Sequence, residues 1–225
     1  FPFPTIEYAK KENEEDMKKD IDSIKNENER KYFELRIAKE RPCTFHSLIE
    51  KYDLSIKVVD EQIGRVYDFL KEQGLLNDTI LFVLGDHGMS LTEHGILFNP
   101  SGLYDGSIKS PLIAHFPGFE GKEINELVQN IDIVPTILDI LELKPDEEFD
   151  GKSLTPLIKY NQPIRDKIFS YDGLCEEIST VRSKNRKLII AKDNFCNLCK
   201  GFHHKEIEEY DLKKDPQETN NIFSG

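Results

Sequence analysis

The sequence has 225 residues, of which 38% are apolar and 32% are charged, and its formal net charge is −12. This length predicts one large domain or one domain with a small appendage. The acidic balance argues against nucleic acid as the main partner, because phosphate backbones are bound by basic patches. No apolar stretch approaches the roughly 20 residues that span a bilayer, so no membrane span is expected.

The first third of the chain predicts two helical regions of different character. Residues 1–50 predict a charged helical flank or insertion, because 7–41 are dense in Glu, Lys, Asp and Asn and Pro42 interrupts them. A long helix with one apolar stripe, ending near Gly74, should follow, and the stripe is expected to lie in the core. Its residues recur at steps of four and three: Tyr52, Ile56, Val59, Ile63, Val66 and Leu70.

The segment from Thr79 to Gly88 is the most informative in the chain. Thr79 to Leu84 are apolar or β-branched without polar alternation, which predicts a strand buried on both faces. Asp86, His87 and Gly88 follow at once, and ligands of α/β sheets bind just beyond the carboxyl ends of strands. Asp86 and His87 could therefore supply two ligands to one divalent cation. The alternative is a turn with Asp86 as a cap and His87 on the surface.

The loop after this strand offers further polar candidates. They are Glu93, His94, Asn99, Tyr104, Asp105 and Lys109. A substrate anion beside a metal needs a cation or a polar hydrogen, which His94 and Lys109 could provide. The alternative is that residues 92–94 form a capped turn and that Lys109 is a solvated charge.

The remaining elements predict an α/β layered domain with a small second part. A short strand over 111–116 and a helix that begins with Asp132 as N-cap complete an α/β arrangement across 51–145. After residue 145, short strand candidates without intervening helices predict a small antiparallel subdomain over 146–225. These strand candidates are 167–171, 179–182, 187–191 and 207–212.

Four cysteines are too few for a disulfide scaffold in a chain of this size. Cys196 and Cys199 are separated by two residues, with His203 and His204 close behind them and Cys175 upstream, a spacing that could hold zinc. The alternative is a polar hairpin tip with reduced thiols. The fourth cysteine, Cys43, is interpreted as an ordinary cysteine.

Taken together and in this order, the motifs resemble the sulfatase family within the alkaline phosphatase superfamily. The fragments that carry the resemblance are Tyr52-Asp-Leu-Ser-Ile56, Val59-Asp-Glu-Gln-Ile-Gly64, Gly85-Asp-His-Gly88, Thr92-Glu-His-Gly95, Leu103-Tyr-Asp-Gly-Ser-Ile108, Asp132-Ile-Val-Pro-Thr136, Asp150-Gly-Lys-Ser-Leu154 and Glu209-Tyr-Asp-Leu212. The resemblance implies an alkaline phosphatase-like layered sheet flanked by helices, with a small antiparallel C-terminal subdomain. This chain would be the carboxy-terminal part of the catalytic domain plus that subdomain.

The resemblance also implies a chemistry for the strand end. Asp86 and His87 would bind the catalytic divalent cation, with His94 a catalytic candidate and Lys109 a substrate-binding candidate. Calcium prefers oxygen ligands, whereas imidazole suits manganese or zinc, so Ca²⁺, Mn²⁺ and Zn²⁺ all remain open. His87 stands where Asn is common in calcium-dependent members, which leaves a phosphodiester or phosphonate substrate open.

Part of the family's machinery is absent from the sequence. Family members carry a C/S-x-P-x-R motif whose first residue becomes formylglycine, and none of these 225 residues forms it; the segment at Cys43 lacks both the Pro and the Arg. Asn99-Pro-Ser101 stands where many relatives place Lys or a His pair. The chain opens on Phe1-Pro-Phe-Pro4, so we expect it to lack the N-terminal half, including the nucleophile and the other metal ligands, and to be inactive alone.

The sequence therefore predicts part of a metal-dependent sulfuric ester hydrolase that acts on a small-molecule or glycan sulfate ester. The alternatives are a phosphodiesterase or phosphonate monoester hydrolase of the same superfamily, and a non-catalytic sulfatase-like fragment. Neither the oligomeric state nor the localisation is predicted.

Overall fold

The fold is seen in a computed structural model, which describes residues 14–37, 43–174, 177–193, 195–197, 200 and 203–225. The α-helices are α1 (Glu14–Ser23), α2 (Glu27–Tyr32), α3 (Phe45–Glu72), α4 (Asp105–Ile108), α5 (Ile133–Ile140) and α6 (Thr155–Tyr160). The strands are β1 (Leu81–Leu84), β2 (Leu112–His115), β3 (Ile168–Asp172), β4 (Glu177–Arg182), β5 (Arg186–Asp193) and β6 (Ile207–Asp211). None of the described helices is both long and apolar enough to cross a bilayer.

The chain divides into two compact units that interleave along the sequence. Unit 1 comprises the described residues of 1–101, 109–121 and 195–203, and unit 2 those of 102–108, 122–194 and 204–225. The segment 102–108 therefore belongs with residues that follow it by many positions. Each unit contains both helices and strands.

The N-terminal flank of unit 1 is helical, and it packs on its own small core. This core consists of Ile24, Phe33, Cys43 and Leu97, all buried. Cys43 contributes to apolar packing there, in line with its interpretation as an ordinary cysteine.

Helix α3 begins seven residues before the start expected from its apolar stripe. Thr44 is the N-cap, and its hydroxyl accepts a hydrogen bond from the Ser47 N–H at 3.2 Å while the Ser47 side chain bonds back to the Thr44 N–H. This capping box fixes the helix start, and the stripe could not reveal it. At the other end Gly74 has φ +69°, so the chain leaves the helix where a glycine was expected to end it.

The middle of the α3 stripe is exposed, which makes the prediction that it lies in the core wrong. The side chains of Ile56, Val59 and Val66 are 54%, 56% and 51% exposed. The reason is that no described residue covers this part of the helix. The periodicity predicted the helix correctly, but periodicity cannot show what lies against an apolar face.

Strands β1 and β2 form a two-stranded antiparallel ribbon in unit 1. Leu81 pairs with His115 and Leu84 with Leu112, and Gly85 N–H extends the pairing to the Pro111 carbonyl at 3.0 Å. The expectation that β1 is buried on both faces is wrong, since its residues are half-buried or, at Leu84, exposed. Among the described residues, β2 is the one strand that pairs with β1, and no strand pairs with its other edge.

Unit 2 contains the predicted antiparallel sheet, with four strands in the order β3-β4-β5-β6. Alternation along β4 buries Ile178 and Thr180 on one face, and Ile189 and Ala191 of β5 lie on the same side. Leu103, just before α4, packs against Ile178 and Ala191, which attaches segment 102–108 to the sheet.

Asp132 precedes α5 as expected, but its side chain does not cap that helix. Its carboxylate instead accepts the Gln129 and Lys152 N–H groups, both at 2.8 Å, and the guanidinium of Arg165, whose Nη2 lies 2.6 Å from Oδ1. Asp132 thus occupies the predicted N-cap position without a side-chain cap bond, because its buried carboxylate is already bound by a bidentate guanidinium and two other N–H groups.

Candidate functional site

The candidate site begins where β1 ends, and Gly85 shapes that end. A Cβ at Gly85 would lie 3.1 Å from Ser110 Cβ and 3.2 Å from Pro111 Cδ, so glycine allows the ends of the ribbon to pass closely. The next two side chains turn outward, with the Asp86 side chain 90% exposed and that of His87 51% exposed. The structure thus presents both predicted ligands at the strand end.

Hydrogen bonds orient the His87 ring and determine its tautomer. His87 Nδ1 lies 2.7 Å from the Gly88 carbonyl oxygen, and a carbonyl can only accept, so Nδ1 carries a proton. In the neutral imidazole, Nε2 then keeps its lone pair, and this atom lies 3.7 Å from Asp86 Oδ2. A metal-binding histidine usually donates its other N–H to such an oxygen. Asp86 and His87 therefore have the chemistry of two neighbouring ligands.

These two residues do not make a complete metal site. Among the described residues, no group of three or more His, Cys, Asp and Glu side chains is placed to hold a metal ion. A bound cation would take its remaining ligands from water, substrate or other protein residues.

His94 lies in a 3₁₀ turn, Glu93–Gly95, where its backbone adopts a left-handed conformation with φ +58°. The Glu93 carboxylate accepts the N–H groups of Leu91 at 2.7 Å and Thr92 at 3.1 Å. Burial raises the pKa of Glu93, but the backbone hydrogen bonds outweigh it and the pKa is lowered. The capped turn weighed in the sequence analysis is thus present, and it holds His94 half-buried.

Hydrogen bonds of the segment Asn99-Pro-Ser101 hold together the loop that follows β1. Ser90 and Asn99 exchange two backbone hydrogen bonds of 3.1 Å, and Asn99 Oδ1 accepts the Ser101 N–H at 2.9 Å. Ser90, Asn99 and Ser101 are all buried. Asn99 and Ser101, which stand where relatives place cations, therefore have a structural role here. The exposed Lys109 is the cationic side chain that follows them in the sequence.

Tyr104 and Asp105, two of the loop candidates, belong to buried polar networks of unit 2. Tyr104 donates to Glu208 Oε2 at 2.8 Å. Asp105 accepts from Arg182 Nε at 3.0 Å and Nη2 at 2.9 Å, and from Lys187 Nζ at 3.1 Å. Both side chains are thus occupied in attaching segment 102–108 to the sheet.

Sequence reasoning missed the partners of these networks. Lys187 and Glu218 are almost completely buried, and Glu218 Oε2 also accepts the Asp105 N–H at 2.6 Å. The one available signal was Lys187, a charged residue directly before the apolar run 188–191 and in step with Ile189 and Ala191 on one face of the strand.

The suggested zinc site receives limited support from the residues that can be described. Cys175 and Cys199 lie outside the described residues, and Cys196 is buried. His203 Nε2 lies 3.1 Å from Glu29 Oε1 in unit 1, whereas the His204 ring stacks on Tyr104 in unit 2 with centroids 4.9 Å apart. The two histidines have different partners, which does not fit a shared pair of ligands.

Comparison with known proteins gives consistent matches. The family model described as Sulfatase matches residues 3–143, and that described as N-sulphoglucosamine sulphohydrolase, C-terminal, matches residues 92–225. An arylsulfatase of Clostridium perfringens is 32% identical over 97% of this chain. An N-acetylglucosamine-6-O-sulfatase of Bacteroides thetaiotaomicron is 28% identical over 80% of it.

A solved structure of a protein in complex with its substrate, D-glucosamine-2-N,6-O-disulfate, superposes with a TM-score of 0.67. It is 28% identical to this chain and covers 80% of it. The chain spans less than half of each of these proteins: 42% of the arylsulfatase, 32% of the N-acetylglucosamine-6-O-sulfatase and 37% of the solved chain. This likeness confirms the predicted alkaline phosphatase-like fold class.

Proposed function

Because the chain belongs to the sulfatase family, we propose that the protein containing it hydrolyses sulfate esters with a divalent cation held in part by Asp86 and His87. The observation that carries the proposal is the pair of ligand side chains exposed at the end of β1, with His87 Nε2 left available by the hydrogen bond at Nδ1. A divalent cation at this point would supply positive charge to the oxygens of a sulfate ester.

The donor set bears on which cation is bound. One carboxylate and one imidazole suit Mn²⁺ or Zn²⁺ as well as, or better than, Ca²⁺, which prefers oxygen ligands alone. We therefore expect Mn²⁺ to restore activity after chelation at least as well as Ca²⁺.

The substrate class proposed is a sulfated glycan. One relative is named an N-acetylglucosamine-6-O-sulfatase, and one solved neighbour is in complex with its substrate, D-glucosamine-2-N,6-O-disulfate. Because the chain carries a net charge of −12, an anionic substrate needs local cations, and exposed Lys109 can serve as one of them. The nucleophile is assigned to a part of the protein outside these 225 residues, because they contain no C/S-x-P-x-R motif.

The test uses a chimera in which residues 1–225 replace the matched region of the Clostridium perfringens arylsulfatase. Hydrolysis of an aryl sulfate and metal content by mass spectrometry are measured for the chimera and for its Asp86→Asn and His87→Ala variants. Asp60→Asn and His46→Ala, both at exposed positions of α3, are the matched controls.

We expect each ligand variant to lose more activity than the about 10–100-fold typical for outer-shell partners of a metal site. The bound metal should fall in parallel, while the two controls stay near the parent. An active chimera whose turnover and metal content are unchanged by Asp86→Asn would show that this site is not the catalytic metal site.

A further inference from the structure

The connection between β5 and β6 carries a cysteine–histidine motif that the proposed chemistry does not use. Its sequence contains Cys196-Asn-Leu-Cys199, and His203 follows four positions later. Two thiols separated by two residues, with an imidazole close behind them, have the spacing of ligands in structural zinc sites. The structure describes Cys196 and His203, and both belong to unit 1.

Cys196 begins a closed turn. The Lys200 N–H donates to the Cys196 carbonyl at 2.9 Å, and Lys200 has a left-handed backbone with φ +62°. A bond between residues four apart has the helical spacing, at which side chains three positions apart are neighbours. The turn is therefore of the kind in which a Cys-x-x-Cys pair can share one ion. The second thiol of the pair, Cys199, lies outside the described residues.

His203 is paired with a buried acid from helix α2. Its Nε2 lies 3.1 Å from Glu29 Oε1, and each of the two side chains is only 3% exposed. An ionised carboxylate can only accept, so Nε2 carries a proton, and in the neutral ring the lone pair is then on Nδ1. Metal-binding histidines usually donate their other ring N–H to a carboxylate in this way. The Glu29–His203 pair thus has the arrangement of an outer carboxylate and a metal-binding imidazole.

The N-terminus of α2 fixes the position of Glu29. The side chain of the N-cap residue, Asn26, accepts the N–H groups of Asn28 and Glu29 at 2.9 and 3.3 Å. The Asn28 side chain in turn donates to the Lys200 carbonyl. Two neighbouring residues of α2 therefore contact the β5–β6 connection, one at Lys200 and the other at His203.

Burial adds a chemical argument for a cation. Cys196 is completely buried, and zinc binds cysteine as the thiolate, whose charge is costly in a dry interior unless a cation compensates it. Cys196 and His203 are the two ligands that the described part of the chain contributes. This agrees with the finding that no group of three candidate ligands lies within that part.

We propose that Cys196, Cys199 and His203 are ligands of a structural zinc ion, and that Glu29 orients His203 from outside the coordination shell. The ion would hold the β5–β6 connection in the conformation that contacts α2, because metal binding and folding of such a segment are coupled. This site is additional to the proposed sulfate ester chemistry and does not depend on it.

The experiment counts zinc in the 225-residue chain after the strand-end ligands have been removed. Asp86→Asn and His87→Ala are both introduced, so that any metal detected is not held by those two side chains. The protein is produced with zinc, dialysed against metal-free buffer and measured by mass spectrometry for bound metal. Co²⁺ is then exchanged for zinc, because thiolate ligands give Co²⁺ a strong charge-transfer absorption.

Three test variants and two controls are made in this background. The test variants are Cys196→Ser, His203→Ala and Glu29→Gln. The controls are Cys43→Ala, which removes the buried thiol of the apolar core, and His204→Phe, which keeps a ring to stack on Tyr104.

We expect about one zinc ion per chain in the background protein and in both controls. Cys196→Ser and His203→Ala should lose the ion and the thiolate absorption of Co²⁺. Glu29→Gln should keep the ligands but weaken zinc binding by about 10–100-fold, as substitutions of outer partners typically do. A background protein without zinc, or zinc content that neither Cys196→Ser nor His203→Ala changes, would overturn the proposal.

A measurement without any substitution in the motif covers the case in which a ligand variant does not fold. Alkylation of Cys196 and Cys199 is followed by peptide mass spectrometry before and after a chelator has removed the metal. Removal should make both thiols react faster. Equal rates, or a disulfide between the two, would instead assign them to a hairpin tip without metal. Because no hydrolysis is measured, failure here is distinct from failure of the proposed function.

Discussion

Lys187 and Glu218 form a buried ion pair in unit 2, with 2.6 Å between Nζ and Oε1 and almost no exposure of either side chain. Asp105 is the second acid beside Lys187, and Arg182 neutralises it from the other side. Burial raises the pKa of Glu218, and the opposing effect of Lys187 is too small to reverse it. For Asp105 the balance is the other way: hydrogen bonds and charge from Arg182 and Lys187 outweigh burial and lower its pKa. The network joins segment 102–108 to β5 and to the C-terminal residues.

Removing the Lys187 ammonium from this network should lower the free energy of unfolding strongly. Lys187→Met leaves Glu218 buried without its cation, and breaking a buried pair from one side typically costs about 3–5 kcal/mol. Lys192→Met is the matched control on the same strand, since the Lys192–Glu177 pair is exposed and worth at most about 1 kcal/mol. Urea denaturation followed by circular dichroism gives both values, and equal losses would contradict the assigned role of burial.

Glu208 should make the stability of unit 2 depend on acid pH. Burial raises its pKa, but the neighbouring His204 side chain together with hydrogen bonds from the Lys205 N–H and the two tyrosines outweighs burial and lowers the pKa from 4.5 to about 2. A lowered carboxyl pKa stabilises the fold fully above the unfolded value near 4.5, and this contribution disappears as the pH falls towards about 2.

Glu208→Gln tests this by removing the titrating group. The difference in unfolding free energy between wild type and variant should be constant above about pH 5 and shrink through the acid range. Glu209→Gln, at a more exposed position on the same strand, should stay close to wild type throughout. A Glu208→Gln difference that is independent of pH would rule out this titration.

Gly151 and Gly64 should respond oppositely to alanine. A Cβ at Gly151 would overlap the Ile131 carbonyl oxygen, so Gly151→Ala forces two backbone segments apart and should cost about 1–3 kcal/mol. Gly64 lies inside α3 with no heavy atom within 4 Å of such a Cβ, so Gly64→Ala should stabilise by up to about 1 kcal/mol. Thermal unfolding of the two single variants measures both, and the same sign for both would contradict the geometry.

A substitution at His94 can separate the role of its backbone conformation in the turn from the role of its imidazole ring in catalysis. Its φ of +58° is a conformation that Asn also adopts readily, so His94→Asn should keep the turn while removing the ring. If the ring transfers a proton in catalysis, turnover of the arylsulfatase chimera should fall by about 10²–10⁴-fold and its pH profile should change, with little change in the unfolding midpoint. Full turnover in His94→Asn would assign His94 to the turn alone.

The parts of the fold that local pattern determines were predictable from sequence. The short strand candidates 179–182 and 187–191 predicted β4 and β5, and Gly74 marked the end of α3, because these signals lie within one element. The exposure of Val59 and the partners of Asp105 were not predictable. The first depends on what covers a face, and the second joins residues 77 to 113 positions apart, which no local pattern encodes.

For the candidate site, too, only the features encoded within one short segment could be predicted from the sequence. Asp86 and His87 could be identified because strand and ligands are contiguous, and their role as metal ligands stays a prediction. Tyr104 was first grouped with them because it is near in sequence, yet its hydroxyl bonds to Glu208, 104 residues away.

The bond from the Asp105 N–H to Glu218, 113 residues later, also constrains the order of events during synthesis. Unit 2 gathers residues 102–108 with residues as far along the chain as 204–225, so its folding must wait until those residues have been synthesised. Until Glu218 emerges, the Lys187 ammonium lacks one of its two acids and the sheet cannot bury it at low cost. Premature termination before Glu218 would therefore release a chain in which segment 102–108 lacks one of its attachments and Lys187 lacks one of its acids, which favours recognition by chaperones and proteases.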